Sequence, residues 1–140
     1  MNSSSERLKQ VYARLATDFE VEVFEAAHRI YPNNRRVLDT LATAYSAAGL
    51  YASALKAAQE LVRRFPGNAR FLYNLACSLC NLNRHDEALK TLEEAVELGF
   101  TDFDYMARDP DLAGLRKRPE YHEFERRARS ERSKRLAKAE

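Results

Sequence analysis

Two cysteines three positions apart are the first feature of this sequence that could do chemistry. Cys77 and Cys80 have the C-x-x-C spacing found in redox enzymes and in zinc sites. In a redox enzyme the motif begins a helix, where the helix dipole lowers a thiol pKa, whereas this pair falls in the middle of a predicted helix. A zinc site would need a second pair of ligands, which the sequence does not supply. We therefore predict two buried, reduced thiols and no bound metal.

The histidines and glycines do not form a recognisable catalytic group. His28, His85 and His122 are far apart, and none stands in a nucleophile pattern with Ser or Cys. The four glycines are isolated, so the sequence has no glycine-rich loop to cradle a phosphate. We therefore predict that the protein is not an enzyme and needs no cofactor.

The C-terminal end of the chain is basic. Residues 116–140 carry ten Lys and Arg against five Asp and Glu, whereas residues 1–115 carry 13 against 16. A charged run without apolar periodicity favours a solvated, frayed helix end, which we predict for residues 129–140. The alternative is that the run binds nucleic acid or another polyanion, although it lacks aromatic residues for base stacking. The cations that would make those contacts are Arg126, Arg127, Arg129, Arg132, Lys134 and Arg135.

Length and composition indicate a single all-α domain. The chain has 140 residues, with 21 Ala and 17 Leu but only seven Val and Ile together, a balance that favours helix over strand. No apolar run approaches the roughly 18 residues that would span a membrane. The first ten residues include no apolar segment of a secretory signal, so with Met1 as the natural start we expect a cytoplasmic protein.

Residues 35–68 and 69–102 are two copies of one sequence unit. Aligned without gaps, the copies are identical at nine of 34 positions, where chance gives about two. A degenerate third copy precedes them, because three residues of the segment before position 35 recur 34 positions later. These residues are Arg29, Pro32 and Asn34.

Each unit predicts a pair of helices. In the middle unit Leu38, Leu41 and Tyr45 share one helical face. Gly49 then ends that helix, and the apolar positions of a second helix begin at Ala54. The first unit is expected to follow the same plan, with one helix through Leu8 to Leu15 and another through Phe19 to Ile30.

Turn and cap residues mark the remaining helix ends. Asn34 and Asn68 are predicted N-caps, and Asn83 is the predicted break within the last unit. Thr101 or Asp102 is expected to cap a short helix that ends before Pro110. Pro119 suits the first position of a last helix, whose apolar stripe ends at Ala128.

The period of 34 residues and the positions of the small and large apolar residues resemble the tetratricopeptide repeat family. The resemblance is most specific in the two inner units and departs at Phe100, where the family has proline. The residues that carry it in the middle unit are Leu38, Leu41, Ala42, Tyr45, Gly49, Tyr51, Ala54, Ala58, Leu61 and Pro66. In the last unit they are Leu72, Leu75, Ala76, Leu79, His85, Ala88, Leu92 and Ala95.

The resemblance implies an all-α solenoid of antiparallel helix pairs wound into a right-handed superhelix. Its repeats would cover about 1–34, 35–68 and 69–102, with a capping region at 103–128, so that one domain spans residues 1–128. It also implies a concave groove, lined by the first helix of each pair, that binds a peptide or helix of a partner protein. The groove residues carried over from the family are Arg36, Asp39, Thr40, Thr43, Ser46, Arg70, Tyr73, Asn74, Cys77 and Asn81. A self-assembling scaffold, in which repeat edges stack between chains, is a further alternative.

Overall fold

The computed structural model describes residues 3–140, and this part of the chain is helical without any β-strand. Helix formation follows the Ala and Leu content and the three-to-four residue spacing of apolar positions. This confirms the predicted all-α fold of antiparallel helix pairs. The helices are α1 (Ser3–Ile30), α2 (Arg35–Ala47), α3 (Tyr51–Arg64), α4 (Ala69–Asn81), α5 (His85–Glu97), α6 (Phe103–Arg108), a 3-10 turn (Pro110–Leu112), α7 (Ala113–Arg116) and α8 (Pro119–Ala139). None of the described helices is long and apolar enough to cross a membrane.

The chain divides into two compact units, and the boundary between Leu61 and Val62 lies in the last turn of α3. In the first unit, α1 packs along α2, and Val21 is the one buried residue of α1. Burial of apolar surface from all three helices stabilises this unit. Its other core residues are Leu38, Leu41, Ala44, Ala54, Leu55, Ala57, Ala58 and Leu61.

In the second unit, α4 is the central helix. It packs along α5, and eight of its 13 residues are buried. The short elements after α5 contribute Met106, Leu112 and Leu115, which are almost fully buried. Tyr121 and Phe124 pack the first turns of α8 into the same core.

The predicted caps and breaks are confirmed. The side chains of Asn34 and Asn68 accept hydrogen bonds from the backbone N–H groups three residues on, each at 3.1 Å, which satisfies donors that a helix start leaves free. Gly49 and Asn83 end α2 and α4 with positive φ angles of 74° and 59°. Glycine adopts this conformation without a steric penalty, and asparagine tolerates it better than most residues.

Two sequence expectations about helix ends are wrong. The first unit has one continuous 28-residue helix, α1, where the repeat pattern led us to expect two. The reason is local, because residues 3–30 include no glycine, proline or asparagine that would interrupt a helix. The basic end is also helical through Ala139 rather than frayed, although every residue from Arg129 onward is exposed.

Ala76 tests the register of the repeats. Its side chain is fully buried in α4, so the isopropyl group that leucine adds would crowd a closely packed core. We expect Ala76→Leu to lower the free energy of unfolding by roughly 1–3 kcal/mol through overpacking. Guanidinium unfolding followed by circular dichroism measures this change. Ala52→Leu, at an exposed position of α3, is the matched control and should leave stability nearly unchanged; equal stability of the two variants would contradict the register.

Candidate functional site

The α2 part of the predicted groove is a polar helix face. Arg36 and Thr43 are exposed, while Asp39, Thr40 and Ser46 are half-buried. The hydroxyl of Thr40 donates to the carbonyl of Arg36 at 2.8 Å, and that of Thr43 donates to the carbonyl of Asp39 at 3.1 Å. Because these hydroxyl protons are used within the helix, the threonines offer a partner mainly their methyl groups and an accepting oxygen.

The α4 part of the predicted groove is closed. Tyr73 and Cys77 are only 3% and 7% exposed. Asn74 and Asn81 are half-buried, and Arg70 is exposed with its guanidinium 4.9 Å from the centre of the Phe71 ring. The expectation that Tyr73 and Cys77 face an open groove is therefore wrong.

The closing segment runs from Phe100 to Asp111 of the same chain. Phe100 stacks on the ring of Tyr73, with ring centres 4.1 Å apart and an 8° angle between the planes. The Tyr105 ring contacts Tyr73 from another side, with centres 5.9 Å apart. Stacked aromatic pairs add stability beyond the area that they bury. We call residues 100–111 the closing segment below.

A buried carboxylate fixes the closing segment to α4. The hydroxyl of Tyr73 donates to Asp109 Oδ2, and the Cys77 thiol lies 3.7 Å from the same oxygen. Asp109 Oδ1 accepts the backbone N–H of Asp111 at 3.0 Å, which caps the 3-10 turn. A further hydrogen bond joins the Asn81 side-chain amide to Asp111 at 3.3 Å. Two of the predicted groove residues, Tyr73 and Cys77, thus meet one aspartate of the capping region.

Backbone contacts hold the closing segment from its other side. The Arg116 guanidinium donates to the carbonyl of Met106 at 2.8 Å and also to the carbonyl of Asp109. The Asp102 side chain accepts the N–H of Tyr105 at 3.0 Å and caps α6. These bonds satisfy backbone groups that short helices leave without partners.

Cys77, Asp109 and Asp111 bring three potential metal ligands together, with their ligand atoms within 4.8 Å of one another. The thiol and both carboxylates already have hydrogen-bond partners inside the unit. Burial, together with the nearby carboxylates, raises the pKa of the Cys77 thiol well above its ordinary value, which opposes the thiolate that a metal would require. These hydrogen bonds explain the arrangement as part of the contact between α4 and the closing segment. Both cysteines are free and buried, as predicted.

Alkaline pH is expected to weaken the second unit. Burial is the main cause that raises the pKa of the Cys80 thiol to about 12, and burial also raises the pKa of Tyr73. In the unfolded chain these groups ionise near their ordinary values, so the folded state binds more protons at high pH. Stability should be complete below about pH 8 and should fall as the pH rises toward about 11.

Urea unfolding at a series of pH values measures this loss. Cys80→Ala removes one of the thiols whose ionisation causes the loss. The free energy of unfolding of this variant should therefore fall less between about pH 8 and about pH 11 than that of the wild type. A wild-type free energy of unfolding that stays constant across this range would contradict the assignment.

Several cations of the basic end have contacts within the second unit. Arg127 forms an ion pair with Glu93 at 3.4 Å, and Arg129 forms pairs with Asp104 and Glu125. Arg132 donates to the carbonyl of Thr101 at 3.0 Å. Arg126, Lys134 and Arg135 are exposed and have no such contact among the described residues. Three of the six cations predicted for polyanion binding therefore already contact other residues of the second unit, and the other three do not.

The sequence analysis did not identify a pocket of about 250 Å³ in the first unit. Leu38, Leu41 and Ala57 provide its apolar walls. His28 also lines it, and the buried Nδ1 atom of this histidine has no hydrogen-bond partner in the described part of the chain. The remaining lining residues are Tyr45, Ser53, Lys56 and Glu60. An apolar pocket with a few polar groups suits a single side chain of a ligand.

Asp109 and Arg116, which close the α4 face, were also missed as functional residues. The one sequence signal was Phe100, which stands where the repeat pattern has proline. A large aromatic residue at that position indicates that the chain packs back onto the repeat rather than turning into a further one. Its partner on α4, Tyr73, could not be inferred from the spacing alone.

The comparison with known families agrees with the helix pairs. Residues 40–102 match the family described as tetratricopeptide repeat, and the all-helical fold is consistent with a protein of that family. It is similar to a chloroplastic protein from Arabidopsis thaliana, with 43% identity over 49 residues. That stretch covers 35% of this chain and 15% of the plant protein, so the similarity concerns a small part of the longer relative.

Proposed function

We propose that this chain is a non-catalytic module that binds a peptide or helix of another protein on the exposed face of α2. Tetratricopeptide repeats generally mediate protein–protein interactions, and the family is typically non-catalytic. The α2 face residues that would contact the partner are Arg36, Asp39, Thr40, Thr43 and Ser46.

One contrast carries the proposal. Thr43 of α2 is exposed, whereas Cys77, at the equivalent position of α4, is buried where the protein's own segment provides aromatic and carboxylate groups. The closing segment is itself a short peptide bound to a repeat face, so the second unit illustrates the kind of contact that we propose for α2. A bound peptide would gain most of its affinity from one or two anchoring side chains.

Polyanion binding has less support. Arg127, Arg129 and Arg132 would have to leave their present partners to bind a polyanion. Surface ion pairs each stabilise a protein by only about 0–1 kcal/mol, so these contacts could be exchanged for contacts with a polyanion. The two functions therefore need to be separated by experiment.

Site-specific photocrosslinking tests the proposal. A benzophenone amino acid is placed at Thr43 on the α2 face, and the matched control position is Lys90, which is exposed on α5. Further positions are Ser53 in the first-unit pocket and Arg126 in the basic end. After irradiation in cell extract, we expect a defined protein adduct at Thr43 and none at Lys90. An adduct confined to Ser53 would move the site to the pocket, and one confined to Arg126 would contradict an α2 site.

Salt dependence separates the alternative. We expect the triple variant Lys134→Ala/Arg135→Ala/Lys138→Ala to retain the Thr43 adduct. Any affinity of the wild type for heparin should be weak, should fall steeply between about 50 and 200 mM salt, and should be lost in this variant. Loss of the specific protein adduct from the triple variant would show that the basic end is a binding element.

A further inference from the structure

The N-terminal two-thirds of α1 carries an apolar stripe that nothing in the described chain covers. Its six residues recur every three or four positions, so they lie on one side of the helix. Between 43% and 67% of each of these side chains is exposed. We call this set the α1 stripe, and its members are Leu8, Val11, Tyr12, Leu15, Phe19 and Val23.

The α1 stripe is distinct from the surface that joins α1 to its own unit. Val21 is buried and Phe24 and Glu25 are half-buried, so these residues lie on the side of α1 that packs within the first unit. Glu25 also accepts a 2.7 Å hydrogen bond from the Tyr45 hydroxyl of α2. At about 100° per residue, Val21 and Phe24 lie nearly opposite Leu15 and Phe19 on the helix. Helix α1 therefore has two apolar sides, and only one of them is covered by other residues that the structure describes.

The area of the α1 stripe matches what a stable interface requires. The exposed fractions correspond to roughly 700 Å² of side-chain surface per chain, so two copies would bury about 1,400 Å², within the range of specific interfaces. The stripe extends over about 22 Å of helix from Leu8 to Val23. An apolar area of this size on one helix is larger than scattered surface residues would give.

The charges beside the stripe favour a second copy in the opposite direction. The first half of the stripe is flanked by the cations Arg7 and Lys9, and the second half by the anions Asp18 and Glu20. By the same helical geometry, Arg7 and Asp18 lie on one flank of the stripe, and Lys9 and Glu20 lie on the other. Antiparallel pairing sets Arg7 and Lys9 each against an anion of the other copy, whereas parallel pairing sets these like charges together.

We infer that two copies of this chain associate through their α1 stripes as an antiparallel helix pair. In the register that places Leu8 opposite Phe19 of the second copy, Tyr12 lies opposite Leu15. The same register brings Arg7 near Asp18 and Lys9 near Glu20 across the two-fold axis. The contact is isologous, so it closes at a dimer and does not propagate. It involves α1 and leaves Thr43 and the rest of the α2 face for the proposed partner.

Sedimentation-equilibrium centrifugation over a series of protein concentrations tests the dimer. We expect the wild type to be dimeric and Leu15→Glu/Phe19→Glu to be monomeric, with a dissociation constant at least a hundredfold higher. Both side chains are exposed, so the substitutions do not disturb a core. Leu136→Glu, at an exposed leucine of α8, is the matched control and should remain dimeric. A wild type that stays monomeric at all concentrations, or a double variant that dimerises as well as Leu136→Glu, would overturn the inference.

A charge exchange tests the orientation. In an antiparallel pair, Lys9→Glu places two anions together and should weaken the dimer several-fold, while Lys9→Glu/Glu20→Lys restores opposite charges and should recover the affinity. In a parallel pair Lys9 would lie against Arg7 of the other copy, so Lys9→Glu would strengthen the dimer instead of weakening it. Failure of the second substitution to restore the dissociation constant would therefore contradict the antiparallel arrangement. Photocrosslinking at Thr43 in the monomeric variant shows whether partner binding fails separately.

Discussion

Replacing Tyr73 with alanine is expected to lower the free energy of unfolding by about 3–5 kcal/mol. The ring is buried, it stacks on Phe100, and its hydroxyl donates to Asp109. The substitution therefore removes a large core side chain and also leaves a buried carboxylate short of a donor. Guanidinium unfolding followed by circular dichroism gives the value.

Two further variants separate the causes. Tyr73→Phe keeps the stacked ring and removes only the hydroxyl, so it should cost about 1–3 kcal/mol. Tyr31→Ala removes a tyrosine that is mostly exposed and should change stability by less than about 1 kcal/mol. If Tyr73→Ala were as stable as Tyr31→Ala, the ring would not be buried under the closing segment. Tyr73 would then belong to an open groove, as the family resemblance implied.

The second large effect is expected at Asp109, because one side chain joins α4, the closing segment and the 3-10 turn. Asp109→Ala should destabilise the protein by about 2–4 kcal/mol, since it removes charged hydrogen bonds and a cap together. A double-mutant cycle with Tyr73→Phe isolates the bond between the two groups, and we expect a coupling energy of roughly 1–2 kcal/mol. Strictly additive effects would show that Tyr73 and Asp109 do not interact.

The pairs of helices in the repeats could be predicted from the sequence because their signals are local. Gly49 and Asn83 end helices through a backbone conformation that few residues accept, and Asn34 and Asn68 cap the helices that follow them. These features depend only on residues within one turn of the helix end. The internal repeat then provides the pairing, since each copy must bury the same apolar faces.

The candidate site could be predicted only in part, because its final form depends on contacts distant in sequence. Tyr73 and Asp109 are 36 residues apart, and neither residue has a local feature that indicates the other. The family pattern placed Tyr73 correctly on the first helix of its repeat and therefore assigned it to a groove. The pattern cannot show which other residues cover that position. The continuous helix α1 was missed for a different reason. There the repeat pattern led us to expect a helix pair, although no helix-breaking residue lies between Leu15 and Phe19.

The measurement that bears most directly on the central claim is the affinity for a partner identified by crosslinking at Thr43. Isothermal titration calorimetry with a purified partner fragment would compare Arg36→Glu/Thr43→Glu with the matched pair Lys90→Glu/Ser130→Glu. Both variants make the same charge change at exposed positions. We predict that the α2 variant binds at least tenfold more weakly than the wild type, and that the matched pair binds with unchanged affinity. Equal affinities for all three proteins would contradict a binding site on α2.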